Sequence, residues 1–159
     1  MKKHWVNRLG RISAVFLATG AFSGFFPLAP GTVGSIVGVY IVWLMGGMPV
    51  ALFALVTIVL FFVGGLAANT TIHVLKKNDA PPIVIDEIVG VMVTLMGMPV
   101  SLYWLVCGLL IFRVFDVVKL PPAHYFDRQL RNGWGTMLDD VVAGIFGNIV
   151  LRLIAAAKF

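Results

Sequence analysis

Apolar residues run along this chain in long blocks, interrupted at a few polar or glycine- and proline-rich points, and the blocks are too long for strands. A basic stretch over 1–11, with Lys2, Lys3, Arg8 and Arg11, leads into an apolar segment over 12–26 that Ser13, Thr19, Gly20, Ser23 and Gly24 interrupt. Pro27, Pro30 and Gly31 break the chain, and a helix is predicted from Thr32 to about Leu44, ending at Gly46-Gly47. A second helix is predicted from Pro49 to about Ala68, a third from Ile83 to Gly97, a fourth from about Val100 to Val118, and a fifth from about Leu138 to Ala157. The connections at 45–49 and 97–100 are short and uncharged, whereas 69–82 and 119–137 read as long polar loops.

Composition turns this helical pattern into a membrane protein. The 159 residues are 60% hydrophobic and 12% charged, with a mean hydropathy of +0.99. Soluble domains carry about 25% charged residues, and a chain this short cannot hide so much apolar surface in its own core. The expectation is an all-α integral membrane protein formed as one domain over 1–159. It is a compact helical bundle of about four to five apolar helices plus an N-terminal interfacial or re-entrant helix. The segment 12–26 falls short of the ~20 residues of a span, and the remainder of the chain does not resemble an exported domain, so a signal peptide is disfavoured.

Charge then orients the bundle. Alternating helices put the N-terminal segment and both long loops on one face, with ten of the twelve basic residues; only Arg152 and Lys158 lie elsewhere. The positive-inside rule makes that face cytoplasmic. The net charge of +5 comes without the basic–aromatic interleaving of a nucleic-acid surface. The single Cys107 excludes an internal disulfide framework and a cysteine-based zinc site.

All seven acidic residues fall on the same face, and five of them cluster at helix ends. Asp86 and Glu87 open the third helix, Asp116 closes the fourth, and Asp139 and Asp140 open the fifth. Capping explains one acid per helix start. It does not explain adjacent pairs, or Asp116 at a C-terminus. Converging carboxylates need a hard cation, and Mg²⁺ takes oxygen ligands while sharing them with water and phosphate. Asp86, Glu87, Asp116, Asp139 and Asp140 are therefore the candidate Mg²⁺ ligands and catalytic residues.

Arg113, Asp116 and Lys119 recur every three residues on one side of the fourth helix. Alone they read as snorkelling bases at a helix end; beside carboxylates, Arg113 and Lys119 read as a phosphate clamp. Gly31, Thr32, Gly34 and Ser35 open a helix whose first N–H groups suit an anion, or else mark a tightly packed helix start. Stripes at i, i+4 spacing (Gly34 and Gly38; Asp86, Gly90 and Thr94; Asp140, Gly144 and Asn148) predict close helix contacts and acids turned inward, with Glu87 and Asp139 one residue off the stripes and flanking them. Cys107 to Arg113 has the outline of a cysteine-phosphatase loop, but the residues between form an apolar helix whose N–H groups are already bonded. His4, His73 and His124 share no useful spacing. A proton-coupled carrier would spread its acids through the membrane depth, and a structural subunit would not need charged helix ends.

In order, PGTVGS (30–35), IVIDEIVG (83–90), FRVFDVVK (112–119), FDR (126–128) and GWGTMLDDVVAG (133–144) resemble the bacterial phosphatidylglycerophosphatase A family over roughly residues 20–150. The resemblance implies a Mg²⁺-dependent, multi-pass inner-membrane lipid phosphatase with its site facing the cytoplasm. Its substrate in the bilayer would be phosphatidylglycerophosphate, converted to phosphatidylglycerol and phosphate. It implies acid pairs at Asp86-Glu87 and Asp139-Asp140, the Arg-x-x-Asp-x-x-Lys at Arg113, Asp116 and Lys119, and the glycine-rich turn at Gly31, Thr32, Gly34 and Ser35. The family commonly has proline after that lysine, where this chain has Leu120 followed by Pro121 and Pro122. The DGxxAR context of CDP-alcohol phosphotransferases and the KxxxxxxRP and PSGH signatures of other lipid phosphatases are absent. The third helix is the expected centre of the bundle.

Overall fold

The apolar blocks fold as helices in a computed structural model that describes residues 2–76, 81–118 and 132–157. In chain order they are α1 (Lys2–Ala18), a short 3₁₀ turn (Ser23–Phe25), α2 (Pro30–Leu44), α3 (Val50–Leu75), α4 (Ile85–Leu95), α5 (Leu102–Val118) and α6 (Gly133–Ala157). Among the described residues there is no strand. Lys77, Asp79, Lys119, Leu120, Asp127 and the FDR motif over 126–128 lie outside them.

The centre is α4. It packs against α2, α3, α5 and α6, and its buried residues include Ile85, Ile88, Val89, Val91, Met92 and Leu95. Its 11 residues make it about 16 Å long, roughly half of a bilayer's hydrocarbon core. Its C-terminal carbonyls therefore end inside the bundle and need donors. Asn148 of α6 supplies two, donating through Nδ2 to Thr94 O at 2.8 Å and Met96 O at 2.9 Å. Arg152 adds a bond to Met96 O at 3.2 Å and holds the Asn148 amide through Nε. A cation at a helix C-terminus also complements its dipole.

Two helices, α3 with 26 residues and α6 with 25, are long and apolar enough to cross a membrane. Leu55, Val59, Phe62 and Leu66 on α3 and Ile145, Ile149 and Leu153 on α6 are exposed. Apolar surface of this extent marks a membrane protein. At the end of the bundle away from the acids, the ring pairs Tyr40–Trp43 and Tyr103–Trp104 match the aromatic belts found at headgroup level.

Three boundaries differ from the sequence reading. The segment expected as a polar loop from 69 is helical to Leu75; its polar side chains are accommodated within the helix, Thr70 Oγ1 donating to Leu66 O at 2.9 Å. The last helix starts at Gly133 rather than near Leu138, because Asn132 Oδ1 accepts the N–H groups of Trp134 and Gly135. At the N-terminus the helix begins within the basic stretch and ends at Ala18, where Gly20, Ala21 and Phe22 turn left-handed. The stripes do meet. A Cβ on Gly90 would lie 2.9 Å from Asp140 O, and one on Gly144 would lie 2.5 Å from Gly90 O. The backbones of α4 and α6 are thus in direct contact.

Candidate active site

The antiparallel order of the helices brings one end of each to a common mouth. The first turn of α4 carries Asp86 and Glu87, and the start of α2 carries Gly31. The last turns of α5 carry Arg113 and Asp116, and the second turn of α6 carries Asp139 and Asp140. Asn69 of α3 fixes the start of α6 by accepting the Gly133 N–H at 2.8 Å. A Cβ on Gly133 would lie 2.8 Å from the Ala68 Cβ and from the Asn69 N. Nothing in the sequence pattern distinguished Asn69, beyond its being a polar residue at the end of an apolar run.

Asp86, Glu87 and Asp140 come together. One oxygen from each lies within 4.8 Å of the others, an arrangement that could hold a metal ion. Asp86 and Asp140 are only 8% and 6% exposed. Glu87 Oε2 is buried and has no hydrogen-bond partner among the described residues. Three carboxylates at this spacing repel one another strongly in a medium of low dielectric. An oxygen-only donor set with an unsatisfied buried oxygen fits a hard divalent cation. Capping does not account for these acids: α4 has no side-chain cap at Val84, and the Glu87 N–H donated to Asp86 Oδ1 at 3.1 Å lies within its first turn. Asp139 and Asp140 lie beyond the first turn of α6, where the helix dipole has faded.

The other predicted acids are placed differently. Asp139 is buried, but it is not one of the three clustered carboxylates. Successive helical residues point about 100° apart, so Asp139 and Asp140 diverge, while the longer Glu87 side chain reaches back toward Asp86. Asp116 pairs with Arg113, with Nη1 to Oδ2 at 2.6 Å.

Gly31 joins these groups. A Cβ there would overlap Glu87 Oε1 and lie 3.3 Å from Arg113 Nη1, so the absent side chain is what lets the α2 start sit against both charges. The rest of the glycine-rich turn serves packing. Gly34 receives Val84, and the fully buried Ser35 hydroxyl donates to Gly31 O at 2.8 Å. The N–H groups of Thr32 and Val33 bond Ala29 O. The set of free donors expected from Gly31 to Ser35 thus narrows to the very start of the helix. Lys119, the second expected clamp residue, lies outside the described residues. Cys107 is half-buried within α5, in a helical rather than a loop backbone.

Comparison with known proteins bears on the chemistry. A family model described as Phosphatidylglycerophosphatase A matches residues 16–155. A protein of Escherichia coli named Phosphatidylglycerophosphatase A is 36% identical over 139 residues, covering 87% of this chain and 81% of the relative. A protein of Haemophilus influenzae with the same name is 38% identical over 151 residues, covering 91% of this chain and 93% of the relative. A third relative, from Bacteroides thetaiotaomicron, carries a provisional name as a phosphatidylinositol-3-phosphatase. It is 34% identical over 153 residues, covering 91% of this chain and 93% of the relative. No solved structure matches the chain.

Proposed function

The chain belongs to the phosphatidylglycerophosphatase A family and is a phosphatase, and on that premise we propose that it hydrolyses the terminal phosphomonoester of phosphatidylglycerophosphate, with Mg²⁺, at the cytoplasmic face of a bacterial inner membrane. The observation that carries the proposal is the meeting of Asp86, Glu87 and Asp140 within 4.8 Å at the mouth that Gly31 and Arg113 share. The orientation rests on the basic residues of the N-terminus and long loops. The lipid stays in its leaflet while its headgroup enters that mouth.

Asp86, Glu87 and Asp140 would hold Mg²⁺, which would supply charge neutralisation on the phosphate oxygens. Arg113 offers its guanidinium fork to those oxygens, and its ion pair with Asp116 fixes the direction of the fork. The start of α2 at Gly31 lies against Glu87 and Arg113, and Lys119, by its place in the Arg-x-x-Asp-x-x-Lys pattern, would add a second positive charge. Water attacks phosphorus in line as the bond to the glycerol oxygen breaks. That oxygen gains a proton and leaves as phosphatidylglycerol, and inorganic phosphate is the other product. Asp139, buried and adjacent in sequence to Asp140, is the fourth acid of the proposed catalytic group. A phosphoryl-enzyme on Asp86 or Asp139 is the competing route, and labelled phosphate trapped on the protein during turnover would establish it.

The deciding experiment is phosphate release by purified protein from phosphatidylglycerophosphate, phosphatidic acid and lysophosphatidic acid, with and without Mg²⁺. Release from the first, dependent on Mg²⁺, is expected. No release from any of them by folded protein would overturn the proposal in favour of a proton-coupled carrier.

A further inference from the structure

We propose that a groove between α3, α4 and α6 receives an acyl chain of the lipid substrate and measures its length, an inference that rests on the lipid phosphatase reading above. A cavity of about 230 Å³ is lined by Thr57, Phe61, Phe62, Val89, Val93 and Val141, among others. Its surface is apolar: the one hydroxyl, on Thr57, is spent on Phe53 O at 2.8 Å.

Two relationships commit the groove to this occupant. The first is continuity with the acids. Val89 and Val93 lie three and seven residues beyond Asp86, on the same side of α4. The groove therefore descends from Asp86 along α4, with Val141 of α6 on its other wall, in the direction a lipid tail takes from its headgroup. The second is its lateral opening. The floor is closed by Val89 at 0% and Thr57 at 3% exposure, while Phe62 on the rim is 56% exposed on the face turned to the bilayer. Trp134 packs on Phe61 and Phe62 at ring separations of 5.8 and 6.2 Å, placing an indole where headgroup and tail meet. A tail can enter sideways from the membrane while its headgroup stays at the mouth.

The test compares phosphatidylglycerophosphate carrying two 16-carbon chains with the same lipid carrying two 6-carbon chains. The enzyme forms are the wild type, Ile58→Trp and Phe62→Ala. Ile58 lines the groove from α3 and is exposed, so Ile58→Trp fills the groove away from the crossing of α4 and α6. It should raise KM for the long-chain lipid by roughly tenfold, the scale set by apolar pocket contacts, with turnover of the short-chain lipid unchanged. Phe62→Ala removes an exposed rim residue without threatening the fold and should reduce the preference of the wild type for the long-chain lipid. If Phe62→Ala keeps the wild-type chain-length preference, the groove proposal is overturned, even should Ile58→Trp not fold. Equal effects of Ile58→Trp on both lipids would also overturn it. Failure of the wild type to hydrolyse either lipid would instead defeat the activity on which it rests.

Discussion

The Glu87 carboxylate lies so close to the α-carbon of Gly31 that any side chain at position 31 would overlap it. Gly31→Ala should therefore displace Glu87 from Asp86 and Asp140, and Arg113 with it. A misplacement near 1 Å costs about 10²-fold in rate, so phosphate release should fall by that order while helix content by circular dichroism stays constant. Wild-type activity in Gly31→Ala would show that the contact has no bearing on the reaction.

Removing a carboxylate from the cluster tests the metal directly. Asp86→Asn and Asp140→Asn should each abolish turnover without unfolding the protein, and chelation of Mg²⁺ should do the same to the wild type. Asp139→Asn should also abolish it. Since Asp139 stands outside the trio, its loss should leave the affinity for Mg²⁺ in a binding titration closer to that of the wild type than the loss of Asp86 does. Retained activity in both Asp86→Asn and Asp139→Asn would remove them from the site.

Ser35 separates the two readings of the glycine-rich turn. Its hydroxyl is buried and donates to Gly31 O, so Ser35→Ala should cost about 1 kcal/mol of stability, the net worth of one such bond. The KM for lipid should remain that of the wild type. A large rise in KM would restore Ser35 as a phosphate ligand.

At the opposite end, Asn148→Leu should destabilise without touching the chemistry. It strips the Nδ2 donor from Thr94 O and leaves Met96 O with the longer bond from Arg152, and a buried carbonyl left unpaired costs about 1–3 kcal/mol. Thermal unfolding in detergent should show a lowered midpoint, with kcat unchanged for the protein that remains folded. An unchanged midpoint would mean that water or lipid satisfies those carbonyls.

The helices and the mouth were legible in the sequence because apolar runs and charge asymmetry are properties of the chain itself. Asp86, Glu87 and Asp140 could be drawn together on spacing and topology alone. The full lengths of α3 and α6 were not legible because polar residues that bond their own backbone within four residues, as Thr70 and Asn132 do, look in sequence like loop residues. The role of Asn69 was hidden for another reason, since its partner Gly133 lies 64 residues away. The role of Gly31 was hidden for a related reason. A glycine made necessary by a carboxylate on another helix looks, in sequence, like one that frees backbone donors for an anion. The i, i+4 stripe already set Asp140 apart from Asp139; what it did not show is that Glu87, equally off its stripe, has a side chain long enough to join Asp86 and Asp140.

The backbone of α6 at Gly144 rests on the Gly90 carbonyl, and that of α4 at Gly90 on the Asp140 carbonyl, with Val93 and Phe112 wedged against the two glycines. A thinner or thicker bilayer can retilt the outer helices, but main chain seated on main chain leaves this central pair little room to slide. Asp86 and Asp140 should therefore keep their spacing as lipid composition changes, so the proposed hydrolytic constellation is insulated from the very medium whose makeup its product would alter.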